Sequence, residues 1–192
     1  KPIGSADPEL KRPRDSREYV MQRMIEDIDF AILYLPTKHD LYRITKWTAL
    51  ALKSRFCLFE GTFRKYHGID TEENDWKYYL DLAAKASEEF ITNSGYGLYT
   101  TGGTQTAYRD LFVSEDAQQL EVVLARDYNK GLSVFHNSTF YSLNTSYGRP
   151  GLTRKIVASY LMADGTRFTD KAGWQTMEFR DCLLYTSPSP RD

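Results

Sequence analysis

The search for chemistry begins with the side chains that can titrate, bind metal or attack. Three histidines, His39, His67 and His136, stand far apart, and none belongs to an H-E-x-x-H or comparable metal-ligand spacing. His39 and His67 fall in stretches that read as loops, where a solvated ring is the expected outcome. The acidic run "EDID" supplies Glu26, Asp27 and Asp29. Paired carboxylates can do acid–base work when a cleft holds them a defined distance apart. Neighbouring acids on a helix point in different directions, so a solvated face is expected instead. "TGGTQT" lacks the lysine of a phosphate-binding loop, and no G-x-S-x-G elbow is present. No catalytic constellation emerges, and we expect neither enzyme activity, nor a metal, nor a cofactor. One other stretch could carry chemistry of a different kind. "NKGLSVFHNSTFYSLNTSYGRPG" runs from 129 to 151 without clear periodicity, and Tyr128 stands just before it. It sets Phe135, His136, Phe140, Tyr141 and Tyr147 among Asn, Ser and Thr. Disordered segments are poor in aromatics, whereas long loops in compact domains are often functional. An ordered, wet binding surface is therefore expected. The two N-x-S/T matches, at Asn137 and Asn144, imply glycosylation only in a eukaryotic secreted protein and are set aside.

The elements that would position such a surface follow from composition and periodicity. The chain has 192 residues, 41% hydrophobic and 27% charged, which suits one globular domain with a real core. A net charge of −1 gives no reason to expect nucleic acid or a basic membrane patch. Aromatics reach 14%, with 14 Tyr, a residue suited to surfaces that are half apolar and half wet. Cys57 and Cys182 are the only cysteines; there is no disulfide framework, and Cys57 reads as a small buried hydrophobe. No apolar run approaches the roughly 20 residues that span a bilayer. The opening "KPIGSADPELKRPRD" is no signal peptide and has no initiator Met, so a start cut from something longer is expected.

Ser16 can cap a first helix in which Met21, Ile25, Ile28, Ile32 and Leu35 keep helical spacing until Pro36 stops it. "RITKWTALALKSRFCLFEG" opens a second helix, with Ala49, Leu52, Phe56, Phe59 and Phe63 on one expected apolar face. Ala51 and Ser54 lie on other sides and would let a second neighbour come close. Gly68 ends that helix. A third, with Trp76, Tyr79, Ala83, Ala86 and Phe90 as its stripe, closes at "NSGYG". The second and third helices repeat at roughly the 34-residue period of tetratricopeptide units. The fold class expected is therefore mainly α, with tetratricopeptide-like helical hairpins, long irregular loops and little β. Beyond Gly95, "YRDLFVSED" reads as a short helix and "LEVVLARDY" as a strand or short extended segment. "LTRKIVASYLMADG" reads as helical, with Leu152, Ile156 and Tyr160 inward, and "TDKAGWQTMEFRD" as a last short helix. Residues 182–192, "CLLYTSPSPRD", follow with no cap or turn, and Ser-Pro-Ser-Pro cannot continue a helix. The string looks like a translated sequencing-adapter read-through. We expect 1–181 to be a helical domain truncated at both ends and 182–192 a non-native tail.

"IEDIDFAILYLP", then "RITKWTALALKSRFCLFEGTFRKYHG", then "YLDLAAKASEEFI" resembles the SusD/RagB family of Bacteroidota surface glycan-binding lipoproteins. The family pattern has an acidic helix ending in Leu-Pro, a helix of the type R-x-T-K-x-x-A-x-A-L-K-A-R, and one containing A-x-x-A. Arg43, Thr45, Lys46, Ala49, Ala51, Leu52, Lys53 and Arg55 match in order. "YRDLF", "VVLARDYN" and "LTRKIVASYLMADG" look like the family's middle region, so the resemblance covers about 15 to 181. It implies that residues 45–55 are scaffold rather than site. It also implies a non-catalytic protein held at the outer membrane by an N-terminal lipid, capping a TonB-dependent transporter of the SusC type and capturing oligosaccharides. Some relatives handle peptides.

A carbohydrate presents apolar C–H faces that stack on aromatic planes, and hydroxyls that need partners. With that ligand in view, Tyr128, His136, Tyr141 and Tyr147 are the expected stacking residues, and Asn129, Asn137 and Arg149 the expected hydroxyl partners. The competing expectation is that these aromatics only pin the loop to the scaffold. Two other function classes compete: a tetratricopeptide-type adaptor, which would bind protein on concave helix faces, and a glycosidase fragment, which would show turnover dependent on one carboxylate.

Overall fold

The structure, a computed structural model, describes residues 7–69, 74–117, 120–147, 151–162 and 164–175. Arg149 and the tail at 182–192 lie outside the described residues, as do 176–181 of the expected last helix. The chain divides into two compact units that meet between Tyr96 and Gly97. Both are built of helices and loops; among the described residues β structure amounts to two isolated bridges.

The first unit holds α1 (Arg17–Tyr34), α2 (Lys46–His67) and α3 (Trp76–Asn93). Each starts where a short polar side chain can satisfy free amides. Ser16 accepts from the Tyr19 amide, Thr45 and Thr48 form a reciprocal capping box, and Asp75 accepts from the Tyr78 amide at 2.9 Å. Each stops for a local reason too. Leu35 turns to extended backbone ahead of Pro36, and Gly68 takes the left-handed conformation at φ 60° that ends α2. Paired residues give the directions. Arg17 meets Glu60 and Asp29 meets Lys53; Lys46 meets Glu89 and Ser54 meets Ser87. Both helix pairs are therefore antiparallel, and α2 is shared by two helical hairpins.

The stripes expected on α1 and α3 turn inward: Met21, Tyr79, Ala83 and Ala86 are buried, and Ile25, Ile28, Ile32, Leu35, Trp76 and Phe90 are half-buried. The expected face of α2 needs correction. Leu52 and Phe59 are exposed, while Trp47, Leu50, Cys57, Gly61 and Arg64 are buried. Small residues decide this, because they set how closely α3 can approach. Ser54 and Ser87 hydroxyls sit 2.6 Å apart, and a Cβ on Gly61 would lie 2.9 Å from the Trp76 carbonyl oxygen. Cys57 has no exposed surface, and burial pushes its thiol up to about 11, so it is the inert small hydrophobe expected. His67 is the last residue of α2 rather than part of a loop; its ring stacks on Phe63 at 4.2 Å. His39 is in a loop but is not simply solvated. It donates from Nε2 to the Ser94 carbonyl at 2.6 Å and stacks on Tyr96 at 4.2 Å.

A charged cluster at the foot of the hairpins was not foreseen. Glu60 and Arg64 are buried. Arg17 grips the Glu60 carboxylate with two bonds, at 2.8 and 2.5 Å, and Arg64 adds a third from Nε at 2.8 Å. Arg64 also reaches Glu18 at 2.6 Å and the Asn74 carbonyl at 3.0 Å, and lies over the Tyr79 ring. One cluster thus ties α1, α2 and the entry to α3 together. "EDID" is a solvated face as expected: Glu26 pairs with Arg23 within its own helix, and Asp29 turns to Lys53.

The second unit carries α4 (Gly103–Val113), α5 (Ser138–Leu143) and α6 (Arg154–Ala158). α4 begins earlier than expected, inside "TGGTQT", because Gly102 adopts φ 88° and can cap there. "LEVVLARDY" is irregular rather than a strand. α6 is shorter than expected, and Leu152 and Ile156 are exposed while Ala158 and Met162 are buried. Gly165 reverses the chain so that Met162 takes the Thr166 carbonyl at 2.8 Å. This turn brings Met162 and Phe168 together as a small core, with Tyr160 and Trp174 packed on it. The expected last helix is replaced, over its described part, by a 3-10 turn at Phe168–Asp170 and further turns.

Candidate functional site

The aromatic loop is folded by a series of turns. Asn129 and Val134 exchange backbone hydrogen bonds at 2.8 and 3.0 Å and close a tight reversal. The Asn129 side-chain oxygen accepts from the Leu132 amide at 3.1 Å, and Ser133 takes φ 57°, a conformation few non-glycine residues adopt. The reversal sets Tyr128 beside His136, edge to face, with ring centroids 4.9 Å apart. The Arg126 guanidinium lies 5.3 Å from the Tyr128 ring. His136 Nδ1 accepts from the Ser138 amide at 3.2 Å. In the neutral ring this leaves the proton on Nε2, which is then a donor.

Asn137 begins α5, and its side chain makes no capping bond. One turn on, Phe140 and Tyr141 project from adjacent positions. At the far end the Asn144 side-chain oxygen accepts from the Ser146 amide at 2.9 Å. This Asx turn brings Tyr147 back against the helix. The result is a cluster of three rings, with Phe140–Tyr147 and Tyr141–Tyr147 both at 5.2 Å and Phe140–Tyr141 at 5.6 Å. Such edge-to-face contacts hold rings in fixed mutual orientation. All remain open to solvent: Phe140 is 51% exposed, Tyr141 47%, Tyr147 46% and Tyr128 45%.

The loop therefore brings Tyr128 together with His136, and Tyr141 together with Tyr147. Among the described residues no ring contact joins the pair to the trio. Asn129 is committed in part to its own turn, whereas Asn137 keeps its amide. Two contributors were missed. Phe140 is the third ring of the trio, and its place beside Tyr141 in "TFY" was the available signal. Arg126 lies two residues before Tyr128, with its guanidinium near that ring. The arrangement offers fixed, exposed aromatic planes bordered by hydrogen-bonding groups. Among the described residues no group of three His, Cys, Asp or Glu side chains could hold a metal ion. No helix among the described residues is long and apolar enough to cross a membrane.

Comparison with known proteins gives one point of contact. Over 117 residues, 61% of this chain, the sequence is 28% identical to a SusD-like protein of Bacteroides ovatus. The chain spans 19% of the length of that curated relative. No protein-family model matches, and no solved structure matches.

Proposed function

We propose that this chain is part of a non-catalytic glycan-capture protein of a SusC/SusD-type uptake system. The observation that carries the reading is the similarity to the SusD-like protein of Bacteroides ovatus. The loop supports it on independent physical grounds. Half-exposed tyrosines locked against one another present stacking planes at little entropic cost, because their rotamers are already fixed. Asn137 and the His136 Nε2 donor stand beside them for hydroxyls. In this reading Tyr128, His136, Tyr141 and Tyr147 stack on sugar rings, with Phe140 bracing the last two. Asn137, Asn129 and Arg149 serve hydroxyls. The partner is a SusC-type TonB-dependent transporter, and the place of work is the outer-membrane surface, reached through an N-terminal lipid.

The test is a glycan array probed with the parent protein and with Tyr141→Ala/Tyr147→Ala. Binding of one polysaccharide class without hydrolysis, weakened roughly tenfold or more by the double change, is expected. Unchanged affinity in the double variant removes the aromatic trio from the site. A blank array from folded protein removes glycan capture and leaves peptide binding, the other activity the resemblance implies.

A further inference from the structure

The second unit contains a cavity that the aromatic loop does not use. It measures about 540 Å³ and is lined by Arg154, Lys155, Ala158, Leu161, Arg167 and Trp174, among others. That volume lies in the range of small-molecule sites, roughly 300–1,000 Å³. Its chemistry is unusual for a chain of net charge −1. Among the described residues three cationic side chains line it and no acidic one does. Among the described residues none of the three makes an ion pair; the nearby Asp164 carboxylate is occupied by the Thr166 amide at 2.9 Å and hydroxyl at 2.6 Å.

Arg154 is positioned rather than loose. Arg154 donates from one terminal nitrogen to the carbonyls of Trp174 and Gln175. Its guanidinium lies 5.5 Å from the Trp174 ring centroid. Trp174 is braced edge-on by buried Phe168, with centroids 6.3 Å apart. The backbone of Arg167 is fixed by the bridge it forms with Leu161 across the Gly165 turn. A guanidinium anchored at one nitrogen keeps donors for an anion, and a planar oxyanion matches its geometry. Much of the remaining wall is apolar, from Ala158, Leu161 and the Trp174 ring. The ligand this recognises has an anionic group on a largely apolar ring.

Resting on the glycan-capture reading, we infer that this cavity binds an acidic saccharide unit, its anion held by Arg154, Lys155 and Arg167 and its C–H face against Trp174. The cavity would then select charge among glycans while the aromatic loop supplies general affinity. The anion can be a uronic carboxylate or a sulfate ester, and the two are separated by the choice of probe.

The test uses the full chain and calorimetric titration with an oligogalacturonate, a neutral galactose oligomer of equal length and its sulfated counterpart. We expect at least one acidic probe to bind roughly tenfold tighter than the neutral one. We expect that margin to shrink between about 50 and 500 mM salt, as charge screening requires. Lys155→Gln/Arg167→Gln leaves the Arg154–Trp174 brace in place and should remove most of the margin. Tyr141→Ala/Tyr147→Ala should weaken all probes and keep the margin. Whichever acidic probe shows the margin names the anion. Equal binding of acidic and neutral probes, or a margin that survives Lys155→Gln/Arg167→Gln, overturns the cavity assignment and leaves glycan capture standing. If no saccharide of any kind binds, both fall together.

Discussion

Within the first unit the aromatic side chains on the facing sides of the helices go inward, although others such as Phe59 and Tyr66 stay exposed: Tyr79 is 1% exposed and packs under Arg64, and Trp47 is buried with its indole N–H donating to the Thr37 carbonyl at 2.6 Å. In the loop of the second unit Tyr128, Tyr141 and Tyr147 stay near half exposed, Tyr128 against His136 and Tyr141 against Tyr147. The residue type is the same and its fate is opposite. The difference lies in the backbone. A 3.6-residue period presents one face of α3 to α2 along its length, so a ring on that face, such as Tyr79, meets a neighbour that removes it from water. The loop has no such period, and its turns can only fold rings onto rings. The first arrangement yields stability. The second yields a surface whose apolar area is still available to a ligand.

The strongest way to break this comparison is to attack the buried charge that the helices enclose. Glu60→Ala would leave Arg17 and buried Arg64 without their shared carboxylate. Removing one partner of a buried ion cluster costs about 3–5 kcal/mol, so a large fall in the thermal or urea midpoint is expected. A change under 1 kcal/mol would mean that the cluster is not what joins α1 to α2. Acid should reach the same contact. Burial alone would push the Glu60 carboxyl up, but the bonds and charges of Arg17 and Arg64 outweigh it and hold the group below the ordinary carboxylate value. The unfolded chain therefore takes up this proton first. The stabilisation is complete above the ordinary carboxylate range and is lost as pH falls through it toward the lower native value. Denaturation measured against pH should show wild type losing stability in acid faster than Glu60→Gln. Parallel curves would exclude Glu60 as the source.

A smaller effect is expected at the α2–α3 contact. Gly61→Ala places a Cβ 2.7 Å from Leu80 Cδ2 and 2.9 Å from a backbone oxygen, and the second of these cannot swing away. Helix propensity favours Ala over Gly by up to about 1 kcal/mol, while overpacking costs about 1–3 kcal/mol. The balance predicts a net loss of one or two kcal/mol in urea denaturation. A gain would show that the two helices can separate slightly at no expense.

How much of this was legible depended on whether the deciding signal was local. Caps, stops and the stripes of α1 and α3 could be read because Ser16, Pro36, Gly68 and the Tyr79–Ala83–Ala86 spacing act through their own segments. The α2 face could not. Periodicity alone makes Phe59 and Leu52 as apolar as Leu50, and only the approach of α3 at Ser54 and Gly61 says which side is covered. The Glu60 cluster was hidden for the same reason, since its partners at Arg17 and Arg64 come from two different helices. In the second unit α4 was extended by a glycine that reads equally well as loop. Within the candidate site the residue types were visible but their pairing was not. That Tyr128 faces His136 depends on a reversal with a left-handed Ser133, and no sequence rule assigns that conformation to serine. Phe140 lacks a polar tip and so does not stand out as a partner for a wet ligand, yet its ring packs against both Tyr141 and Tyr147.

The least destabilising change should be the one that matters most for binding. Tyr141→Ala/Tyr147→Ala removes two rings that are each about half exposed and that contact Phe140 rather than a core. Truncation of a surface side chain outside any buried network shifts stability by about 0.5 kcal/mol or less, so two such changes should leave the urea midpoint close to wild type. Replacement by Phe at both positions keeps the stacking planes and removes only the hydroxyls. If the rings act as platforms, the Phe pair should retain most of the glycan affinity that the Ala pair loses; if the phenolic hydroxyls are the recognised groups, the Phe pair should fall with the Ala pair. A large loss of stability in the Ala pair would instead place these rings in the first category, as packing for the fold, and would erase the contrast between the two halves.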